Sequence, residues 1–418
     1  MKRKKFDILI IGGGAAGLSA AIAAGREWKK GSISIGIIDR MPKTGKKLLA
    51  TGNGRCNLSN ADLSSDRYHG SCKSLLKKTE TFSVPGFFDS LGVVCEDDGY
   101  GRIYPRCRSA ASVLDALRLE CQKLGVEEIC GSEAKEIKRH RSDGSVPMFA
   151  LSSDDLYIMS HQVILAGGGR SQPSLGSNGS MLDICGSLGI KTAPFFPALV
   201  PLKTEPALVK PLKGQRADAN VMFCADGSCI ASERGEVQFT DGLLSGICVF
   251  DLSYLYEKYR NSKCELRLDL LPDMDRNETE SLLKRIREIR RDTSPDDFLS
   301  GIFTRPLGIY ILKRLNHKLP ETTGKITDTD LSGIVSVIKS LSFPVIGNAG
   351  YERSQVTGGG IIADEFDGGF AIKRIEGLYA CGEMLDIFGD CGGYNLDFAF
   401  SSGALAGRSA ALKAAKWF

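Results

Sequence analysis

The sequence predicts an α/β protein in which one α/β domain is assembled from both ends of the chain and interrupted by an antiparallel β module that carries a helical insert. Three observations predict it. A strand–turn–helix–strand unit opens the chain, an apolar strand with a glycine-rich loop and a helix closes it, and short alternating strands around a helical stretch fill the middle.

The first strand is FDILII, a continuous apolar run suited to a parallel strand buried on both faces. Gly12 to Gly17 form a turn, and AAGLSAAIAAGREW follows with alanine and leucine at helical spacing. SIGIID, Ser34 to Asp39, is the second strand, which completes a βαβ unit. Residues 43–60 are rich in glycine and asparagine and read as a loop, Ser109 to Leu124 as a helix, and Val163 to Gly169 as a buried strand ending in a glycine turn. The expected division is 1–194 for the first part of the α/β domain and 195–271 for the first part of the β module. The helical insert spans 272–341, the β module resumes over 342–357, and the α/β domain over 358–418.

Composition bounds the function. With 418 residues, 42% hydrophobic, and a net charge of only +4, the chain reads as an ordinary globular protein with weak support for general nucleic-acid binding. MKRKK resembles the start of a secretion signal, but the apolar run behind it is short and broken by Asp7 and glycines, so a strand is the better reading. No apolar stretch approaches the roughly 20 residues needed to cross a bilayer, and a cytoplasmic location is expected. The 13 cysteines contain no C-x-x-C pair, and His69, His140, His161 and His317 lie far apart. That pattern suggests buried thiols in a reducing compartment and no metal site.

Three motifs carry chemistry. In Gly12-x-Gly14-x-x-Gly17, Gly12 permits the tight turn, Gly14 lets the backbone approach a pyrophosphate, and Gly17 lets the helix pack on the strand. The helix start offers free N–H groups to the phosphates, and Asp39, at the end of the second strand, is placed to accept from a ribose. A second segment, GLYACGEMLDIFGDCGGYNLDFAF, offers Gly382-Glu383, acids at Asp386 and Asp390, and a Gly392-Gly393 pair opening a helix. Those acids can hold ribityl hydroxyls, and the helix start can stabilise charge on a reduced flavin's pyrimidine edge. A nicotinamide dehydrogenase has no need of this distant segment, so FAD is the expected resident cofactor. The third motif is Thr51-Gly-Asn-Gly-Arg-Cys-Asn57, where glycines admit a flat ring and Arg55 and Asn57 offer donors. Cys56 is considered as a redox thiol, but no second cysteine lies nearby in sequence.

Together IIGGGAAGLSAA, TGNGRCNLSN, VILAGGG, VTGGG and the C-terminal segment resemble the BaiN-type flavoproteins, also labelled aminoacetone-oxidase-like FAD-binding enzymes. The resemblance implies a glutathione-reductase-type FAD domain, Rossmann-like and split in sequence, with an inserted antiparallel β-barrel-like domain and a helical subdomain. Carried over, the FAD contacts are Gly12, Gly14, Ala15, Ala16, Gly17, Asp39, Arg40, Gly45, Lys47, Thr51, Gly52, Gly54, Arg55, Cys56 and Asn57. They continue with Gly167, Gly168, Gly382, Glu383, Asp386, Gly393, Tyr394, Asn395 and Leu396. Two departures stand out: Asp241 occupies the place of a histidine in the family's FTH…SGP pattern, and Cys391 that of a threonine. Members of the family have been connected with bile-acid-type ring reduction, amine oxidation and reduction of a ribosomal RNA uridine.

The expected activity is a flavin-dependent oxidoreduction, with NAD(P)H bound only transiently because one dinucleotide fingerprint is present. Candidate donors near the ring are Arg55, Asn57, Tyr394 and Asp241. The substrate is a small molecule or RNA. An RNA-uridine reductase draws on the basic runs KRIREIRR and KRLNHK, and a non-enzymatic flavin-binding module is the other alternative.

Overall fold

The computed structural model describes residues 2–27, 33–140, 148–315, 317–367 and 369–415. They form two compact units, one of residues 1–197 with 355–418 and one of residues 198–354.

The first unit is built on β1 (Lys2–Ile11), α1 (Ala15–Glu27), β2 (Ile35–Asp39), α2 (Ala110–Lys123), β3 (Glu127–Cys130), β4 (Leu156–Leu165), β5 (Val356–Ile361), β6 (Leu378–Ala380) and α3 (Tyr394–Ala414). Its main sheet runs β3-β2-β1-β4-β6, and every pairing along that path is parallel. Ile8 to Ile11 lie opposite Ile35 to Ile38 on one side and Gln162 to Leu165 on the other. Ile8, Leu9 and Ile10 are fully buried, each such burial contributing about 1.5–3 kcal/mol. β4 changes neighbour along its length. Tyr157 to Ser160 pair antiparallel with Met148–Ser152, which pairs on with Glu136–His140, whereas Val163 to Leu165 pair with Leu378 to Ala380. In such an order β1 and β4 flank the point where the chain reverses direction across the sheet, and the crevice beyond their carboxyl ends is where ligands of α/β sheets bind.

Helices α1 and α3 pack face to face because small residues let their backbones meet. A Cβ on Gly403 or Gly407 would collide with the carbonyl oxygens of Ala16 or Ala20. Ser109 caps α2 by accepting from the Ser112 amide.

The second unit holds a seven-stranded antiparallel sheet in the order Leu341–Pro344, Cys264–Asp269, Arg216–Ala225, Ser228–Thr240, Leu243–Ser245, Leu202–Lys203, Gly347–Asn348. Its two terminal strands are nearly consecutive in sequence. Between them, the Val345 amide donates to Cys264 O and the Ile346 amide to Lys203 O, so adjacent residues bond to opposite ends of the sheet. The sheet therefore curls back on itself, barrel-like as expected. Val221, Phe223, Val237, Phe239, Leu266 and Phe343 fill its core together with Leu283, Ile311 and Ile334 from the helices Arg276–Ile289, Arg305–Lys313 and Asp328–Lys339.

Candidate functional site

The carboxyl ends of β1 and β4 are tied together. The Gly12 amide donates to Ile38 O at 2.8 Å, and the Ala166 amide to Ile11 O at 2.8 Å. Gly12 has φ +108°, and a Cβ there would press on the Ala166 carbonyl; a Cβ on Gly17 would run into the Gly12 carbonyl. Gly14 differs from both: a Cβ there meets nothing within 4 Å. Two glycines of the turn are thus required by the protein's own packing, while the third faces open space at the start of α1, where Ala15 and Ala16 begin the helix. The fit to a pyrophosphate rests on that difference, since the amides at a helix start lack intrahelical acceptors.

Asp39 closes the turn from below. Its two oxygens accept from the Gly13 and Met41 amides, each at 2.7 Å. Burial pushes its pKa up, against the pull of those two amides. Arg40 stands 4.0 Å from Glu133. The Gly45 amide donates to Gly13 O at 2.7 Å, which lays the following loop alongside the turn. Lys47, in that loop, pairs with Glu383 at 2.8 Å, and the other oxygen of Glu383 accepts from the Thr357 amide at 2.9 Å. Thr357 Oγ1 in turn accepts from the Arg170 and Ser171 amides just beyond Gly167 and Gly168.

The C-terminal segment meets both of the other motifs. Gly382, at φ +67°, has its Cα so close to Ala16 that a Cβ would lie 2.8 Å from the alanine methyl. Gly393, at φ +107°, stands against Ser59 O, and a Cβ there would lie 2.8 Å from Asn57 Oδ1. That Oδ1 atom is buried with no hydrogen-bond partner. A buried acceptor left unpaired costs about 1–3 kcal/mol, so its position beside the N-terminus of α3 fits a ligand that brings an N–H donor. Among the described residues, then, Gly12–Gly17, Gly45–Asn57 and Gly382–Leu396 form one constellation from chain segments far apart in sequence.

Several expected contacts have other employment. Cys56 is fully buried and its thiol is pushed up to about 12 by burial, so it is not a redox thiolate. The Asn395 side chain clasps the Gly389 backbone, donating to its carbonyl and accepting from its amide, both at 2.8 Å. What Asn395 keeps for a ligand is its backbone amide, which lies with those of Tyr394 and Leu396 in the first turn of α3. The Tyr394 ring is buried edge-on against Tyr68, centroids 5.6 Å apart. Asp386 accepts from the Ser71 amide at 3.0 Å, which anchors the segment near Gly70. Thr51, Gly52 and Gly54 shape the loop: Thr51 Oγ1 donates to Leu48 O, and both glycines have positive φ. Arg55 is exposed. Asp241 belongs to the second unit, where it is exposed and paired with Lys213 at 2.7 Å.

Two pairs were not expected. His69 Nε2 lies 2.8 Å from Asp390 Oδ1, its ring packs on Phe388, and Asp390 also faces Arg67 at 3.7 Å. Asp397, in the first turns of α3, accepts from Ser59 Oγ at 2.5 Å. Burial raises its pKa to about 6, against that hydrogen bond. The only sequence signal for either was the acid Asp390 near the paired glycines.

A family model described as the HI0933-like protein Rossmann domain matches residues 6–409. The chain belongs to the HI0933-like family. The chain is 34% identical over 409 residues to the 3-dehydro-bile acid delta(4,6)-reductase of Clostridium scindens, covering 96% of this chain and 98% of that one. It is 26% identical over 415 residues to the ribosomal RNA dihydrouridine synthase of Escherichia coli, covering 96% of each. The 3-ketosteroid-delta4-(5alpha)-dehydrogenase structure from Rhodococcus jostii shares the fold at TM-score 0.51 and 14% identity, covering 98% of this chain and 97% of that one. The motif-based resemblance therefore holds, and the protein is a flavin-dependent oxidoreductase.

Proposed function

We propose that the protein binds FAD in the crevice of its first unit and reduces a carbon–carbon double bond conjugated to a carbonyl in a small ring-containing substrate, with NAD(P)H as a transient electron source. The observation that carries this reading is the pairing of an open glycine at the first turn, Gly14, with an orphaned acceptor, Asn57 Oδ1, beside the distant helix start at Gly393. Gly12 to Gly17 take the pyrophosphate, and Asp39 and Arg40 the adenosine end. Lys47 and Glu383 line the ribityl region, with Gly167, Gly168 and the loop Thr51 to Arg55 around it. Asn57 Oδ1 accepts from the pyrimidine edge, and the amides of Tyr394 to Leu396 stabilise negative charge there. When bound, FAD supplies hydride transfer. His69, oriented by Asp390, is the group of this region suited to hold and deliver a proton to the reduced substrate carbon.

The small-molecule reading is supported over RNA by the relative of higher identity and by the internal pairing of part of the run KRIREIRR. Lys284 pairs with Glu280 and Arg287 with Asp328, while Arg290 donates to the carbonyls of Asp297 and Phe298. Those cations are committed to their own unit. Anaerobic mixing of the holoprotein with NADH or NADPH, followed by a cyclic enone, tests the proposal. Bleaching of the visible flavin band and its return on adding the enone is expected. A band that neither nicotinamide bleaches, or that the enone fails to restore, overturns it. Salt-sensitive RNA binding would move the substrate to RNA.

A further inference from the structure

The long hairpin of the second unit, Arg216–Ala225 and Ser228–Thr240, turns through Asp226 and Gly227 alone. Both have positive φ, 49° and 83°, the left-handed pair that a type I′ turn demands. Ala225 pairs with Ser228 across this turn and Cys224 with Cys229 one step further in, just before a bulge at which Phe223 pairs with Ala231. Antiparallel pairs alternate between those that exchange backbone hydrogen bonds and those that do not. The pair closing a two-residue turn is of the first kind, so Cys224 and Cys229 are of the second, with Cα atoms about 4.5 Å apart and side chains at their closest. A disulfide spans Cα separations of about 4.4–6.8 Å. Facing residues project to the same side of a sheet, which sets the two thiols side by side, and the Cys229 thiol donates to Ala231 O at 3.8 Å.

The surroundings divide the two sulfurs by access. Cys224 is fully buried and Cys229 exposed. On its other side Cys224 faces Glu265 in the adjoining strand, which is ion-paired with Arg267; burial pushes the Cys224 thiol up, and the Arg267 guanidinium pulls against it. An exposed thiol backed by a buried partner directly across the strand pair is the arrangement of an attacking and a resolving cysteine.

We propose that Cys224 and Cys229 form a redox-active cross-strand dithiol that closes to a disulfide by exchange with a low-molecular-weight disulfide. The Cys229 thiolate attacks one sulfur of the small disulfide and expels a thiolate, leaving a mixed disulfide. Cys224, giving its proton to solvent, attacks the Cys229 sulfur and expels the second small thiol. Two protein thiols are oxidised and one small disulfide is reduced to two thiols, so atoms and electrons balance. The inference does not depend on the flavin reading.

The test incubates the reduced, full-length holoprotein with oxidised glutathione, then alkylates and maps the peptides by mass. The hairpin peptide should lose two hydrogens and resist alkylation until a reductant is added. Cys224→Ser should stop at a glutathione adduct on Cys229, and Cys229→Ser should leave Cys224 unmodified. Cys107→Ser, which removes an exposed thiol elsewhere, should leave the hairpin disulfide unchanged. Circular dichroism checks that each variant folds; Cys229→Ser changes only an exposed side chain and keeps the test decisive if Cys224→Ser does not. A wild-type protein that retains the adduct on Cys229 with Cys224 open to alkylation overturns the proposal. So does a hairpin peptide that stays unmodified while Cys107 reacts.

Discussion

Replacing Gly14 by alanine should separate cofactor capture from folding. A Cβ at this position meets no protein atom within 4 Å, and Gly14 is not among the glycines of positive φ. Removing a glycine from the unfolded ensemble favours folding by about 0.4–1 kcal/mol. The glycine's advantage over alanine at a helix N-cap opposes that by a similar amount, so the apoprotein should change by less than about 1 kcal/mol. The cofactor has no such compensation. A phosphate on these amides gains charge-assisted hydrogen bonds of about 1.5–3 kcal/mol each, and a methyl group in its seat displaces it from one or two. A loss of about 3 kcal/mol corresponds to roughly 100-fold weaker binding. Titration of the apoprotein with FAD, followed by quenching of flavin fluorescence, measures the affinity, and thermal unfolding of the same samples measures the fold. Gly17→Ala is the contrasting control, because its methyl would strike the Gly12 carbonyl and lower the melting point without any cofactor present. Unchanged FAD affinity in a normally folded Gly14→Ala protein would refute the seating of the pyrophosphate on this turn.

Asp397 predicts a pH dependence. Its folded pKa of about 6 lies above its ordinary 3.8, so its contribution to stability is complete below about pH 4 and is lost as pH rises through 6. The loss amounts to about 3 kcal/mol, and Asp397→Asn should remove it, giving a protein stabilised above pH 6 and little changed near pH 4. Urea unfolding of both apoproteins across that range decides; an unaltered profile in the variant would assign the dependence to another group. Asn57→Ala should leave the apoprotein as stable or about 1 kcal/mol more stable, since it deletes an unpaired buried acceptor, while weakening FAD binding about 10-fold. A parallel loss of apoprotein stability would show that Asn57 is structural. Gly407→Ala should destabilise the first unit by about 3 kcal/mol or more, because its methyl would meet the Ala20 backbone, which cannot move aside cheaply. Denaturant midpoints equal to wild type would contradict the close packing of α1 on α3.

The sequence made β1, its turn and α1 legible because a continuous apolar run, glycines at fixed spacing and a helical alanine pattern each point to one structure. The strand β4 was read only from Val163, since the residues just before it are Ser160, His161 and Gln162. All three are buried, a tertiary placement that no local pattern announces. The neighbouring strand Glu136–His140 buries only Ile137, and β3 buries no residue fully, so neither shows the alternation that identifies a strand. At the site, the glycines were legible because their positions follow from backbone geometry. The side-chain roles were less so. Asn395 looked like a ligand contact and proves to hold Gly389, while His69–Asp390 and Ser59–Asp397 join residues more than 300 positions apart. The Cys224–Cys229 apposition required knowing the register of the hairpin.

The parallel sheet of the first unit has its central strand, β1, at the start of the chain and an outer strand, β6, near residue 380. On a ribosome adding about 5–20 residues each second, β1 and α1 emerge long before β6 and α3, the partners that cover them. The second unit, made of one uninterrupted stretch, can close in the interval. Until then the apolar faces of β1 and α1 are exposed to solvent and to chaperones, and the two ends of the cofactor crevice do not yet coexist. On the proposed seating, flavin loading follows translation of the C-terminal segment, and a chain stopped before Leu378 carries the glycine-rich turn without Gly382 and Gly393 opposite it.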